Sequence, residues 1–440
     1  MTWRLILLPL FFACSLALPA QSPLYYPPQT GNAWATLSPD SLSFCQERID
    51  SLYAWLESVN SRSFVLLKDG RIVLEKYFGA ANQESYWYWA SAGKSLTAFM
   101  VGQAQEAGLL DIERPVSDYL GVGWTSCSPD KEALIAVRNQ LSMTNGLDDA
   151  LPVTPAIPDP DNCLLPECLV YKADAGSRWA YHNAPYRLIH RVLENASGQS
   201  LADFTKAYVL DRTGMKGFWL DHVMYGRARD MARFGLLCLG RGVWDGDTLL
   251  SDQDYFDAMI TPSQALNRAY GYLWWLNGQP SFMAPGFQWV IPGQLYPQAP
   301  DDLYAALGRD DQIIHVVPSR SWVVVRQGPK SGDSPFVFGR QLWDRLNQLQ
   351  CASVSQSAPS AEAGVSLPSP NPAADGWRVS CDVPVDVVEV WGVDGRFWRR
   401  IHALPKTGLI EIQVEGLPAG VYVLRLRAQG AWIYRKALKG

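Results

Sequence analysis

The sequence predicts an α+β chain in two folded parts: a large mixed region ending near residue 350, then a small all-β domain. Three observations carry this. Residues 64–74, Phe-Val-Leu-Leu-Lys-Asp-Gly-Arg-Ile-Val-Leu, read as a hairpin closed by Asp69-Gly70. Leu96, Phe99, Met100 and Ala104 recur at helical spacing behind Ser91. Past a stretch rich in Ala, Ser, Pro and Gly (352–366), the segments 377–379, 385–390, 409–414 and 421–426 alternate apolar with polar between turn residues, which reads as a β-sandwich over 367–440.

In chain order, residues 1–20 read as a secretory signal peptide. Arg4 supplies the charge, Leu5 to Leu18 the apolar run, and Pro19-Ala20 precede Gln21. Leu18 fits poorly three residues before that cleavage point, so cleavage after Ala17 is an alternative. Cys14 raises a lipoprotein option that its Phe12-Ala13 flank and the short preceding run disfavour. No later segment is long and apolar enough to span a bilayer. Loss of Cys14 with the leader leaves seven of the eight cysteines, an odd number for an oxidising compartment.

The composition is that of a globular protein, with 48% hydrophobic and 18% charged residues over 440 positions. A formal charge of −5 without basic clusters gives no support for nucleic-acid binding. Five histidines in no ligand pattern point away from a catalytic metal, and no cofactor is expected.

Chemistry enters at Ser91-Ala92-Gly93-Lys94, where the aromatic run Tyr86-Trp87-Tyr88-Trp89 gives way to the helix. A serine and a lysine three residues apart at a helix start share one face, so the hydroxyl has a basic neighbour, and the serine N–H lies among the unpaired donors of the helix end. The plain alternative is a helix-capping serine beside a solvated lysine. A phosphate loop is excluded, because the glycine needed five residues before Gly93-Lys94 is Tyr88. A second match, Ser128-Pro129-Asp130-Lys131, reads as a surface turn. Tyr181-His182-Asn183 follows residues 176–180 and precedes Pro185. If extended or looped, it points Tyr181 and Asn183 into one site; its plain alternative is a buried tyrosine in a turn.

In this order and spacing the two motifs resemble the serine β-lactamase and penicillin-recognising superfamily, in particular the branch of class C β-lactamases, family VIII-type esterases and 6-aminohexanoate-oligomer hydrolases. The resemblance covers about residues 45–350, and the stretches 135–147, 229–235 and 270–275 are similar to those of that family. It implies an α/β/α sandwich around an antiparallel sheet with an all-helical subdomain, spanning residues 21–351. It also implies Ser91 as nucleophile, Lys94 and Tyr181 as a base pair that titrates as a unit, and Asn183 as a partner of Lys94 and substrate. In this fold the first and last helices lie together, which implies a Cys45–Cys351 disulfide; Cys163 and Cys168 are a second candidate pair.

The family's third element, Lys-Thr-Gly or His-x-Gly on a strand bordering the site, is not matched in place. A literal Lys406-Thr407-Gly408 lies beyond the linker and is set aside. Gly308-Arg309-Asp310-Asp311-Gln312, entering the strand pattern 313–317, is the better candidate. There Arg309 stands where lysine or histidine is usual and offers a fork for a carboxylate, while Asp311 replaces glycine and is expected to narrow the site or repel anions. The resemblance implies Gln312 as donor of the second oxyanion N–H. Among 18 tryptophans, Trp87, Trp89, Trp179, Trp274 and Trp275 are candidates to line an apolar acyl pocket.

The β domain reads most simply as a carbohydrate-binding or adhesive appendage. However, Pro370-Asn371-Pro372-Ala373, Val393-Asp394-Gly395-Arg396, residues 417–422 and the basic end 435–439 resemble a type IX secretion C-terminal sorting domain. That implies a Gram-negative source, the type IX machinery as partner, and an enzyme released or anchored at the cell surface. The expected activity is acyl transfer to water from a small-molecule carboxylic ester first, then linear amides, then β-lactams or D-amino-acid peptides. A non-catalytic binding protein that kept the fold is the alternative of a different class.

Overall fold

The computed structural model describes residues 23–351, 365–393, 396–428 and 431–440. The expected leader, most of the expected linker and Asp394-Gly395 lie outside them. The chain forms two compact units, up to Cys351 and from Ala352 on.

In the first unit, α1 (Gln46–Ser58) buries Ile49, Leu52 and Leu56 along one stripe. Strands β1 (Ser63–Lys68) and β2 (Arg71–Tyr77) follow, joined by Asp69 and Gly70, both with positive φ, the turn that suits a tight hairpin. Gly70 is also required sterically, since a Cβ there would stand 1.9 Å from the Tyr25 carbonyl oxygen. β3 (Trp87–Tyr88) leads into α2 (Gly93–Glu106), which is buried on every side from Gly93 to Ala104. Then come α3 (Asn183–Ser197), β4 (Phe218–Leu220), β5 (Val223–Gly226) and α4 (Ala228–Leu239). The unit closes with β6 (Trp275–Leu276), β7 (Tyr304–Gly308), β8 (Gln312–Val317), β9 (Trp322–Gln327) and α5 (Pro335–Asn347).

Six strands make one sheet in the order β2-β1-β9-β8-β7-β6, every neighbouring pair antiparallel. Strands alternate faces, and the packing follows that period. Ile314 and Val323 face α4, where Gly235 lets the helix approach so closely that a Cβ would lie 2.4 Å from Val323 Cγ1. Their neighbours His315 and Trp322 face the other way and meet Trp343 of α5. Helices therefore cover both faces, which is why β1, β8 and β9 carry continuous apolar runs. β3, β5 and β4 form a separate small sheet in that order. This is the α+β, helix–sheet–helix architecture expected.

Both expected disulfides are present. Cys45–Cys351 spans 306 residues and is flanked by backbone hydrogen bonds Cys45 N–H to Leu349 O and Cys351 N–H to Ser43 O. Cys163–Cys168 closes a short loop, and Cys127, Cys238 and Cys381 are free thiols.

The second unit is all-β: β10 (Gly376–Gly392), β11 (Phe397–Gln413), β12 (Gly420–Ala428) and β13 (Ala431–Lys439) form an antiparallel sheet in the order β11-β10-β12-β13. Register shifts between Cys381 and Val387 interrupt the long first hairpin, and Ala373 just ahead of β10 bridges Lys439 of the far strand. Trp377, Val379, Val388, Leu424 and Leu426 fill its own core. The literal Lys406-Thr407-Gly408 is part of β11 here.

Tying together points 306 residues apart removes much chain entropy from the unfolded state. Cys45→Ser is expected to lower the unfolding free energy of the first unit by about 3–5 kcal/mol in non-reducing urea titrations, whereas Cys127→Ser changes it by under about 1 kcal/mol.

Candidate active site

The turn that carries Ser91 is built by the small sheet. Trp87 and Tyr88 pair with Gly226 and Tyr225, and the Trp89 N–H bonds the Met224 carbonyl at 2.8 Å. The chain then reverses sharply through Ala90, held at φ +49°, a conformation costing an alanine on the order of 1 kcal/mol. A single turn, Ala90–Ala92, feeds α2. Ser91 caps nothing; its hydroxyl faces Lys94 instead. On the other side β7 runs against this turn at Gly308, where a Cβ would come within 2.3 Å of Trp89 O and 3.1 Å of Ala92 N. Only glycine lets the strand come so near.

Lys94 Nζ lies 3.0 Å from Ser91 Oγ and 2.7 Å from Asn183 Oδ1, with the Tyr186 ring centroid 4.2 Å away. Tyr181 and Asn183 line the larger cavity from the extended entry to α3, and His182 between them is buried. Tyr181 lines this cavity together with Ser91, close enough for the serine side chain to favour its phenolate. Asn183 is held in turn by Asp161: its backbone N–H donates to Oδ1 at 3.0 Å and its Nδ2 to Oδ2 at 2.6 Å.

Burial divides the roles of the two basic groups. Desolvation lowers the Lys94 pKa to about 7, Asp161 opposing and Arg187 and Arg309 assisting. Desolvation drives the Tyr181 phenol upward, the nearby Ser91 side chain partly opposing. Near neutral pH the lysine therefore has a lone pair to offer Ser91, and the tyrosine keeps its proton to donate.

Two cavities open onto Ser91, and Asn183 and Arg309 line both. The larger, about 750 Å3, has apolar walls of Trp275, Phe287, Ile291, Leu307 and Phe336. The smaller, about 230 Å3, is edged by Tyr88, Tyr225, Arg187 and His222.

Several expectations are corrected by the geometry. Trp274 is wholly buried, stacked on Phe234 and edged against Tyr304; of the two adjacent candidates Trp275 alone lines the cavity. Trp179 is also enclosed and packs behind Tyr181, Tyr270 and Trp275. The Gln312 side chain is wholly buried, its amide tied to the carbonyls of Arg309, Asp310 and Gly328, and braces the hairpin turn; it is Gly308 and Arg309 that line the cavity, where the Gln312 backbone N–H was expected. Asp311 is buried beneath that turn, accepting from the Ser331 N–H, and neither narrows the site nor lines it. Arg309 is exposed at the cavity edge. Asp161, Phe336 and Arg187 were not found from sequence; Asp161, two residues before Cys163, had the cystine loop as its one signal.

Residues 57–326, well over half the chain, match the family model described as Beta-lactamase. The chain belongs to the beta-lactamase family. Its members are serine hydrolases, esterases, amidases and D-alanine carboxypeptidases among them. Solved structures share the fold at low identity. A Bacillus anthracis protein bearing the name of a 6-aminohexanoate-dimer hydrolase is 18% identical, with TM-score 0.56 over 75% of this chain and 92% of its own. The Aspergillus terreus simvastatin synthase is 14% identical, with TM-score 0.53 over 70% and 100%. A Yersinia pestis beta-lactamase/D-alanine carboxypeptidase, solved with citrate, is 17% identical, with TM-score 0.51 over 69% and 96%. In this beta-lactamase-family chain the two motifs meet at Ser91 and Asn183, which line both cavities, with Lys94 on the smaller and Tyr181 on the larger.

Below pH 7 the lysine is an ammonium and cannot accept a proton; above it the free amine can. The kcat/KM for p-nitrophenyl butyrate is therefore expected to rise with pH through a limb near 7 and then level off. Lys94→Met is expected to lower it by about a thousandfold and abolish the limb.

Proposed function

We propose that this protein is an exported serine hydrolase that cleaves carboxylic esters, and less readily small linear amides, through an acyl-enzyme on Ser91. The observation that carries the reading is the buried, readily neutralised Lys94 within hydrogen-bond distance of Ser91 Oγ, Ser91 itself lining a large apolar cavity. Ser91 Oγ attacks the carbonyl carbon as its proton passes to Lys94 Nζ. The backbone N–H groups of Ser91 and Arg309 stabilise the oxyanion, the second taking the role first expected of Gln312. Tyr181 gives its proton to the departing oxygen or nitrogen and regains one from Lys94. Water then attacks the acyl-enzyme, its proton travelling back through the same pair to restore Ser91. Trp275, Phe287, Ile291 and Phe336 suit an apolar acyl chain, and the smaller polar cavity suits the leaving group.

One observation favours a second reading. Arg187 and Arg309 flank the smaller cavity, and two cations there favour a leaving group with a carboxylate, such as a β-lactam or a D-amino-acid peptide.

We also propose export. The signal-like N-terminus, two disulfides in the first unit and the sorting-domain resemblance of the β unit all support it. The partner implied is the type IX machinery, and the location is outside the outer membrane or on its surface.

Ser91→Ala is expected to leave the thermal melt unchanged, take no fluorophosphonate label and hydrolyse no substrate. In a panel of p-nitrophenyl esters, nitrocefin and aminohexanoate dimer, the hexanoate ester is expected to exceed the acetate by about tenfold in kcat/KM, each buried methylene contributing under ~0.8 kcal/mol. Faster turnover of nitrocefin than of any ester would favour the second reading. In a host with type IX secretion, a chain ending at Cys351 is expected to stay in the periplasm while the full chain reaches the medium or the cell surface.

A further inference from the structure

Asp161 lies in the short turn Pro160–Asn162, two residues ahead of the Cys163–Cys168 bridge, and reaches Asn183 with both carboxylate oxygens. An asparagine amide is nearly symmetric in shape but opposite in chemistry at its two ends: one end only accepts and the other only donates. Which end meets Lys94 decides what the amine can do. With Oδ1 toward Nζ, at 2.7 Å, the amine donates a hydrogen to Asn183 and its lone pair remains for the Ser91 hydroxyl. With the amide reversed, Nδ2–H would take that lone pair, and Ser91 would lose its base.

We propose that Asp161 is a positioning residue that fixes this choice, with the cystine loop holding it against the first turn of α3. The carboxylate accepts only, so it selects the orientation in which Nδ2 faces it and Oδ1 faces Lys94. Reversal would set the amide oxygen against a carboxylate oxygen, now 2.6 Å from Nδ2. The carboxylate also accepts the Asn183 backbone N–H, one of the unpaired donors at the helix start, where negative charge is favoured. The charged groups around it are Lys94, Arg187, Arg309 and Asp149, the last paired with Arg178, with buried His182 alongside. The role attributed to Asn183 rests on the acyl-transfer reading, whereas its orientation rests on the hydrogen bonds alone.

An exchange of the two side chains tests this. Asp161→Asn offers a donor to a donor, so Asn183 reverses, and kcat for p-nitrophenyl butyrate is expected to fall at least about 100-fold with KM within about threefold. In the double variant Asp161→Asn/Asn183→Asp every hydrogen bond is restored with roles exchanged, and a carboxylate now touches Lys94. Its kcat is expected to recover to within about tenfold of wild type, with the acid limb displaced to higher pH because the adjacent negative charge favours the ammonium. Wild-type kcat in Asp161→Asn, or a folded double variant no faster than the single one, would overturn the proposal. Should Asp161→Asn melt early, the double variant decides alone: recovery with a displaced limb supports the proposal, and loss of activity or an unmoved limb contradicts it. A wild-type protein that takes no fluorophosphonate on Ser91 contradicts the acyl-transfer reading instead.

Discussion

The site depends on one unfavourable placement: a lysine amine with almost no contact with water. Holding it as an ammonium there costs on the order of 5 kcal/mol relative to solvent. One oxygen of Asn183, a tyrosine face and a serine hydroxyl are what the protein provides instead. The outcome is a neutral amine near physiological pH. The surroundings can be read as what is needed to keep water out. Helix α2 is buried on every side, Gly308 brings β7 against the nucleophile turn, and Ala90 accepts a left-handed backbone so that Ser91 faces the amine.

The same desolvation acts oppositely on the neighbouring phenol, which is held as a proton donor. Burial thus separates two groups whose unperturbed pKa values are nearly equal, at about 10 and 10.4. Asp161 tempers this, since its charge favours the ammonium while its two oxygens orient the amide beneath it. The two cavities at Ser91 differ in polarity, one apolar and large, the other small and cationic.

What was legible in the sequence follows the range of each interaction. Ser91 and Lys94 are one helical turn apart, and Tyr181 and Asn183 two residues apart, so local geometry alone puts each pair on one side. The hairpin at Asp69-Gly70 and the apolar runs of the central strands were equally readable. The sequence did not separate neighbours where a single residue of register decides the face: of the two candidates Trp275 lines the cavity and Trp274 packs under α4. The turn after β7 misled for a similar reason. Asp310 and Asp311 both adopt positive φ, Asp311 turns inward and Gln312 is drawn into bracing the turn. Phe336 comes from a distant segment that no spacing marks, Asp161 is marked only by the neighbouring cystine loop, and Arg187, one helical turn past Asn183, was passed over.

Acyl transfer here stands on the charge state of one side chain. Protein carrying 13C at the lysine ε-carbons, compared with Lys94→Met to assign the signal, reports that state directly by NMR during a pH titration. The Lys94 resonance is expected to titrate near pH 7, far below the other lysines. A Lys94 signal that titrates above pH 10 with the rest would contradict it.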